Sequence, residues 1–191
     1  MRIQVGVMGS AGGRLAKAVR RKAYLLGVAI AEHDCVLVTG ACPGLPYDAV
    51  LGCRAAGGLT VGISPALDLH EHVHEYRSPH EGFDVLIYTG DGLMGREVTG
   101  IRSCDVVVLI GGRSGTLGEF AIAYDEGRVI GVLAGTGGVA DSVDTIVRIV
   151  SKRTGATLIA DADPNTLVKR LLRAYRARRG RPIRRVPAGG G

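Results

Sequence analysis

Short apolar runs punctuated by glycine alternate along this chain with longer segments of helical period. IQVGVM is followed by RLAKAVRRKAYLLGVAIAEH, CVLVT by PYDAVLGCRAAG, and LTVGIS closes the first half. DVLIYT, LMGREVTGIRSC, DVVVLI, TLGEFAIAYDEG, VIGVLA, VADSVDTIVRIVSK and ATLIA repeat the rhythm, and a last helix is predicted from about Pro164 into a basic C-terminus. Several apolar runs are continuous rather than alternating, the pattern of strands covered on both faces. Strand and helix in strict alternation predict right-handed crossovers. The fold class is therefore α/β, a doubly wound, mostly parallel, Rossmann-like sheet with helices on both faces. One connection breaks the rhythm: SPALDLHEHVHEYRSPHEGF is polar, histidine-rich and without clear period, and is read as a mobile flap or a partly ordered insertion.

In such sheets ligands bind beyond the carboxyl ends of the strands. Here those ends carry GSAGGR after the first strand, TGACPGLP after the second, TGDGLMGR after the fourth, GGRSGT after the fifth and AGTGG after the sixth. Glycine-rich strand-to-helix turns let backbone N–H groups approach an anion, and a helix N-terminus adds partial positive charge. A phosphorylated small molecule is the guest this predicts. The P-loop spacing is absent, and GSAGGR is a poor dinucleotide fingerprint. The Thr116 to Glu119 spacing also fits a capping box, in which hydroxyl and carboxylate satisfy amides at a helix start, and a structural role for Glu119 stands beside a functional one.

Composition adds bounds. The chain has 191 residues, 46% of them hydrophobic and none tryptophan, which suits one domain with an aliphatic core. Residues 1–175 are expected to form that domain, and residues 176–191 a basic, disordered tail. The net charge of +6 is concentrated in KRLLRAYRARRGRPIRRVPAGGG. With a single tyrosine, Tyr175, and no aromatic interleaving among the terminal arginines, a solvated tail is expected rather than a nucleic-acid partner, and a kinship with DNA-processing Rossmann proteins is only a third reading. Cys35, Cys42, Cys53 and Cys104 lack paired spacing and read as free thiols of a reducing compartment. No leader or membrane span is read from the sequence, so a cytoplasmic location is expected. His70, His72 and His74 alternate and in a strand would present three imidazoles on one face, but no cysteine or carboxylate stands at ligand spacing, and no metal is assigned.

The quoted loops carry a resemblance. IGGRSGTLGE is similar to the PGGxGTxxE signature of the LOG (Lonely Guy) family, the "lysine decarboxylase-like" Rossmann superfamily, and LMGREVTGIRSCDVVVLIGG resembles its upstream helix and strand. VTGACPGLPYDAVLGCRAAGGLTVGISP is similar to the second loop, helix and third strand, so the resemblance spans roughly Ile3 to Gly138. There are departures: Gly111 stands for proline, Arg113 for a signature glycine, and Glu97 for the lysine that usually follows the arginine. With CPGLP in the second loop, they make the chain resemble more closely the branch that includes molybdenum-cofactor carrier proteins.

The resemblance implies a nucleotide-binding protein with no required cofactor, holding an AMP-like nucleotide or a molybdenum cofactor. Two readings stay open. As a phosphoribohydrolase it would cleave the N-glycosidic bond of a nucleoside 5'-monophosphate, with Glu119 stabilising an oxocarbenium-like sugar and Arg96 holding the substrate. As a carrier it would hold a nucleotide or phosphorylated pterin without turnover. In both, Gly112, Ser114, Gly115 and Thr116 would cradle the phosphate beside Gly111. The base would lie toward Gly9, Ser10, Gly40 and Gly44, and Arg113 would either narrow the loop or add a phosphate contact. The resemblance also implies a homo-oligomer with the site near the subunit interface.

Overall fold

A computed structural model describes residues 1–179. Seven strands are present: β1 (Gln4–Gly9), β2 (Val36–Thr39), β3 (Leu59–Ser64), β4 (Val85–Tyr88), β5 (Val106–Ile110), β6 (Val129–Leu133) and β7 (Thr157–Asp161). All six strand pairings are parallel, and the order is β4-β3-β2-β1-β5-β6-β7. The helices between them are α1 (Lys17–Glu32), α2 (Leu45–Ala55), α3 (Leu69–His74), α4 (Gly92–Arg102), α5 (Ser114–Asp125), α6 (Gly138–Val150) and α7 (Pro164–Arg179). The fold is α/β and Rossmann-like, as the sequence pattern predicts.

Alternate side chains of each strand enter opposite layers. Val5, Val7, Leu37, Val108 and Ile110 pack with Leu26, Ile30, Val50 and Leu171 from α1, α2 and α7. Met8, Val38, Ile63, Val107 and Leu109 pack on the other face with Ile101, Phe120 and Val143 from α4, α5 and α6. Every residue of β5 is buried, which is why its sequence is a continuous VVVLI. The four cysteines are free, and Cys35, Cys53 and Cys104 are buried.

The connection expected to be a mobile flap or a partly ordered insertion holds α3 and is ordered by two local devices. Asp68 caps α3 by accepting from the Glu71 amide at 2.9 Å, and Glu71 accepts from the Leu67 amide at 2.6 Å. His72 is fully buried: its Nε2 donates to the Pro79 carbonyl at 3.0 Å, which leaves Nδ1 to accept from the Ser64 hydroxyl at 2.8 Å. The three histidines therefore do not share a strand face. His70 and His74 lie together outside, their rings tilted at 44° with centroids 4.6 Å apart, and among the described residues no cluster of three metal-ligating side chains occurs. At the C-terminus α7 runs to Arg179, past the point where the tail was expected to begin, and the rest of that stretch lies outside the described residues. No described helix is long and apolar enough to cross a membrane.

Candidate functional site

Crossovers leave β1 toward β2 and leave β5 toward β6, so the connections diverge between these neighbours and open a crevice at their carboxyl ends. The crevice is a pocket of about 360 Å³, at the lower end of the range of small-molecule sites. The end of β1 supplies Gly9, the β1–α1 loop Ser10, Ala11 and Gly12, the β2–α2 loop Cys42, α4 Leu93, Met94, Arg96 and Glu97, and α5 with its cap Arg113, Ser114, Gly115, Thr116 and Glu119. A larger hollow of about 650 Å³ lies where the strands begin, but its charged groups Arg2, Asp34, Arg176 and Arg179 are exposed, and Arg2 is already paired with Asp34 at 2.9 Å.

The β5–α5 junction explains the spacing of its residues. Gly111 and Gly112 both take positive φ, +61° and +106°, a turn glycine adopts without strain. Arg113 is the N-cap in extended conformation, with no side-chain cap bond, and the first intrahelical bond runs from the Leu117 amide to the Arg113 carbonyl. The amides of Ser114, Gly115 and Thr116 are thus the unpaired donors of the first turn. The glycine amides are not free: Gly112 donates to Ser10 Oγ at 2.7 Å and Gly111 to Thr136 Oγ1 at 2.9 Å. Gly112 is therefore a hinge that fastens the loop to β1, not a donor open to a ligand. The capping-box reading of Thr116 and Glu119 fails, because α5 begins two residues earlier and places them in its first and second turns.

Arg96 and Glu119 meet across the pocket floor with Nη1 and Oε1 3.7 Å apart. Arg96 is 7%, Glu97 6% and Glu119 8% exposed. Arg96 Nε is buried with no hydrogen-bond partner, which is costly for a cation unless something enters to pair with it. Gly40 makes this placement possible: a Cβ there would stand 1.8 Å from Arg96 Nη1, so the residue seats the arginine and does not line the pocket. Gly44 is also structural. It packs against the Ser10 carbonyl, to which the next amide, Leu45, donates at 2.9 Å. Arg113 lays its guanidinium over Gly13 in the β1–α1 loop, across the mouth.

Burial pushes the Glu119 acid up to about 7; Arg96 pulls it down and Glu97 pushes it further up. Burial likewise raises Glu97 against the pull of Arg96. The Cys42 thiol is raised to about 11, chiefly by burial, and is uncharged at neutral pH. The motifs present Glu97 only as a departure from their pattern and not as a site residue. Its carboxylate lies against Gly115 and Gly118, where a Cβ would stand 3.3 Å from Oε1 and 2.7 Å from Oε2. The available signal was its place beside Arg96 and the glycines spaced to receive it.

This arrangement of free amides, an under-satisfied arginine and two buried acids can hold an anion and act on groups attached to it. Solved structures of known proteins share the frame. The molybdenum cofactor binding protein from Rippkaea orientalis has a TM-score of 0.75 at 26% identity, covering 91% of this chain and 98% of that one. The molybdenum cofactor carrier protein from Chlamydomonas reinhardtii gives 0.73 at 26% identity, covering 92% and 99%. DNA processing protein A from Helicobacter pylori, at 18% identity and a TM-score of 0.62 over 91% of this chain and 81% of that one, shares the fold alone. An uncharacterized protein from Archaeoglobus fulgidus is 32% identical over 131 residues, 69% of this chain and 80% of its own. The model of the SLOG cluster4 family matches residues 2–168, and the chain belongs to that family.

Proposed function

We propose that this pocket binds a phosphorylated nucleotide-type ligand, with the phosphate at the Ser114, Gly115 and Thr116 amides and the sugar against Glu119 and Arg96. The observation that carries the reading is the buried Arg96, with an unpartnered Nε and only a 3.7 Å contact to Glu119. A charge in that state waits for an anionic or hydroxyl-bearing ligand. Arg113, already reaching across the mouth, supplies the outer phosphate contact.

Hydrolysis of the N-glycosidic bond is the finer reading. Glu119 is not consumed by a helix cap, faces the cavity and ionises near neutrality, so it can stabilise positive charge developing on the sugar. Purified protein incubated with AMP and related monophosphates is expected to release free base and ribose 5-phosphate, and Glu119→Ala to abolish release. Wild-type release no greater than that of the variant rejects hydrolysis. The carrier reading is favoured by the two molybdenum-cofactor proteins with similar structures and by Glu97 and Arg113 in place of signature residues. Mass spectrometry of the purified protein finding a phosphorylated ligand, with no turnover, supports it. A homo-oligomer belongs to the same proposal: Leu93 and Met94 are exposed at the mouth, and Val85 and Ile87 on β4.

A further inference from the structure

Glu97 has no assigned part in that reading, yet it is among the most buried acids of the molecule. No donor among the described residues bonds its carboxylate. It lies along the side of α5 at Gly115 and Gly118, beside the first-turn amides that receive the phosphate. The other charged or titratable groups lining the pocket are Arg96 on the same helix, Glu119 and Arg113 from α5, and Cys42 from the β2–α2 loop; the β1–α1 loop adds only the Ser10 hydroxyl. When both acids are ionised, the two arginines and two acids cancel. A phosphate dianion brought to those amides stands close to an ionised Glu97 in a partly dry site and is strongly repelled.

One proton between them removes the conflict. Resting on the phosphate-binding reading above, we infer that Glu97 is a specificity residue that takes the ligand's phosphate with one proton retained, as P–O–H donating to the Glu97 carboxylate. The proton is the one the ligand's monoanion already carries or, above the ligand's second pKa, one taken from a buffer acid that is left deprotonated, and no bond but that O–H changes. Phosphate monoesters hold a second proton up to about pH 6 in water. A sulfate ester holds none and a phosphodiester has lost that site, so both meet Glu97 without a donor. Burial raises the Glu97 acid in the empty pocket already, which favours keeping that proton. Arg96 and Arg113 still pair with the remaining charge.

The test is calorimetric titration of the full chain with AMP and inorganic phosphate, each beside its sulfate counterpart, adenosine 5'-sulfate and inorganic sulfate. Measurements run from about pH 5.5 to 9 in two buffers of different ionisation enthalpy. AMP is expected to bind with uptake of about one proton, its affinity falling about tenfold per pH unit above pH 7, and the sulfates to bind at least about tenfold more weakly at pH 6. Glu97→Gln, whose amide donates without a titrating proton, is expected to flatten the pH dependence and bring sulfate to within about threefold of phosphate. Wild-type AMP binding that ignores pH, equal binding of phosphate and sulfate, or proton uptake lost in Glu119→Gln but kept in Glu97→Gln overturns the inference. If Glu97→Gln does not fold, the wild-type comparison of phosphate with sulfate still decides. Absence of binding by every phosphorylated probe at every pH instead overturns the phosphate-binding reading itself, and this inference with it.

Discussion

Asp68-Leu-His-Glu71 and Thr116-Leu-Gly-Glu119 carry the same spacing of a capping residue and an acid, and the fold uses them in opposite ways. In the first, both side chains bond backbone amides at the start of α3, at 2.9 and 2.6 Å, and stay near solvent. In the second, the positive-φ glycines Gly111 and Gly112 turn the chain early, α5 starts at Ser114, and Glu119 is carried inward to face Arg96. The spacing alone is the same. What separates the two is where the backbone enters the helix, and an acid left unsatisfied by its own helix is one that a ligand can use.

The largest expected effect that sharpens this contrast is on stability as a function of pH. Glu119 ionises at about 7 in the folded chain against an ordinary 4.5, chiefly because it is buried. Between those values the folded state binds more protons than the unfolded one, so this group's contribution to stability falls as pH rises from about 4.5 to about 7 and then levels off. Glu119→Gln removes that dependence. Denaturant titrations from pH 4 to 8 should show the variant gaining on the wild type by up to about 3 kcal/mol across the interval. An acid serving as a cap is stabilised in its ionised form, which gives a gap of opposite sign.

The same contrast tells how far the sequence could be read. The inner strands are visible because burial on both faces leaves runs such as VVVLI and VIGVL with little else to be, while the partly exposed edge strands β4 and β7 show as short apolar runs between turns. The edge carrying the site is visible because crossover turns at a divergence of connections concentrate glycine and small polar residues there. The roles inside that edge are less legible. Gly40 and Gly111 look alike in sequence, yet one seats a guanidinium and the other turns the chain. Gly112 looks like a phosphate donor until Ser10, 102 residues away, is found on its amide. Helix α3 escapes periodicity because six residues are too few to show it; the cap and the buried His72 hold it instead. Glu97 escapes because its significance depends on Gly115 and Gly118 of the facing helix.

A middle-sized effect is expected at the genuine cap. Asp68→Ala should cost about 1 kcal/mol, the usual loss for a side chain that satisfies first-turn amides. Since α3 is held by only the cap and His72, the loss should show in hydrogen exchange as faster opening of residues 69–76. Binding of AMP in the pocket should stay unchanged. Unchanged exchange in that segment would mean that His72 alone orders it.

The smallest effect is expected where the pattern imitates a cap. Thr116→Val keeps the branched shape and removes the hydroxyl, which among the described residues has no hydrogen-bond partner and sits in a residue only 4% exposed. Losing a cap would cost about 1 kcal/mol, whereas losing a pocket-lining hydroxyl that caps no amide should change stability by less than about 0.5 kcal/mol in either direction. Chemical denaturation of this variant beside Asp68→Ala, under one set of conditions, measures the two spacings against each other. A loss at Thr116 as large as that at Asp68 would return Thr116 to a capping role and free Glu119's position from the reading given to it, because the helix start would then be fastened by the pair and not by the glycine turn.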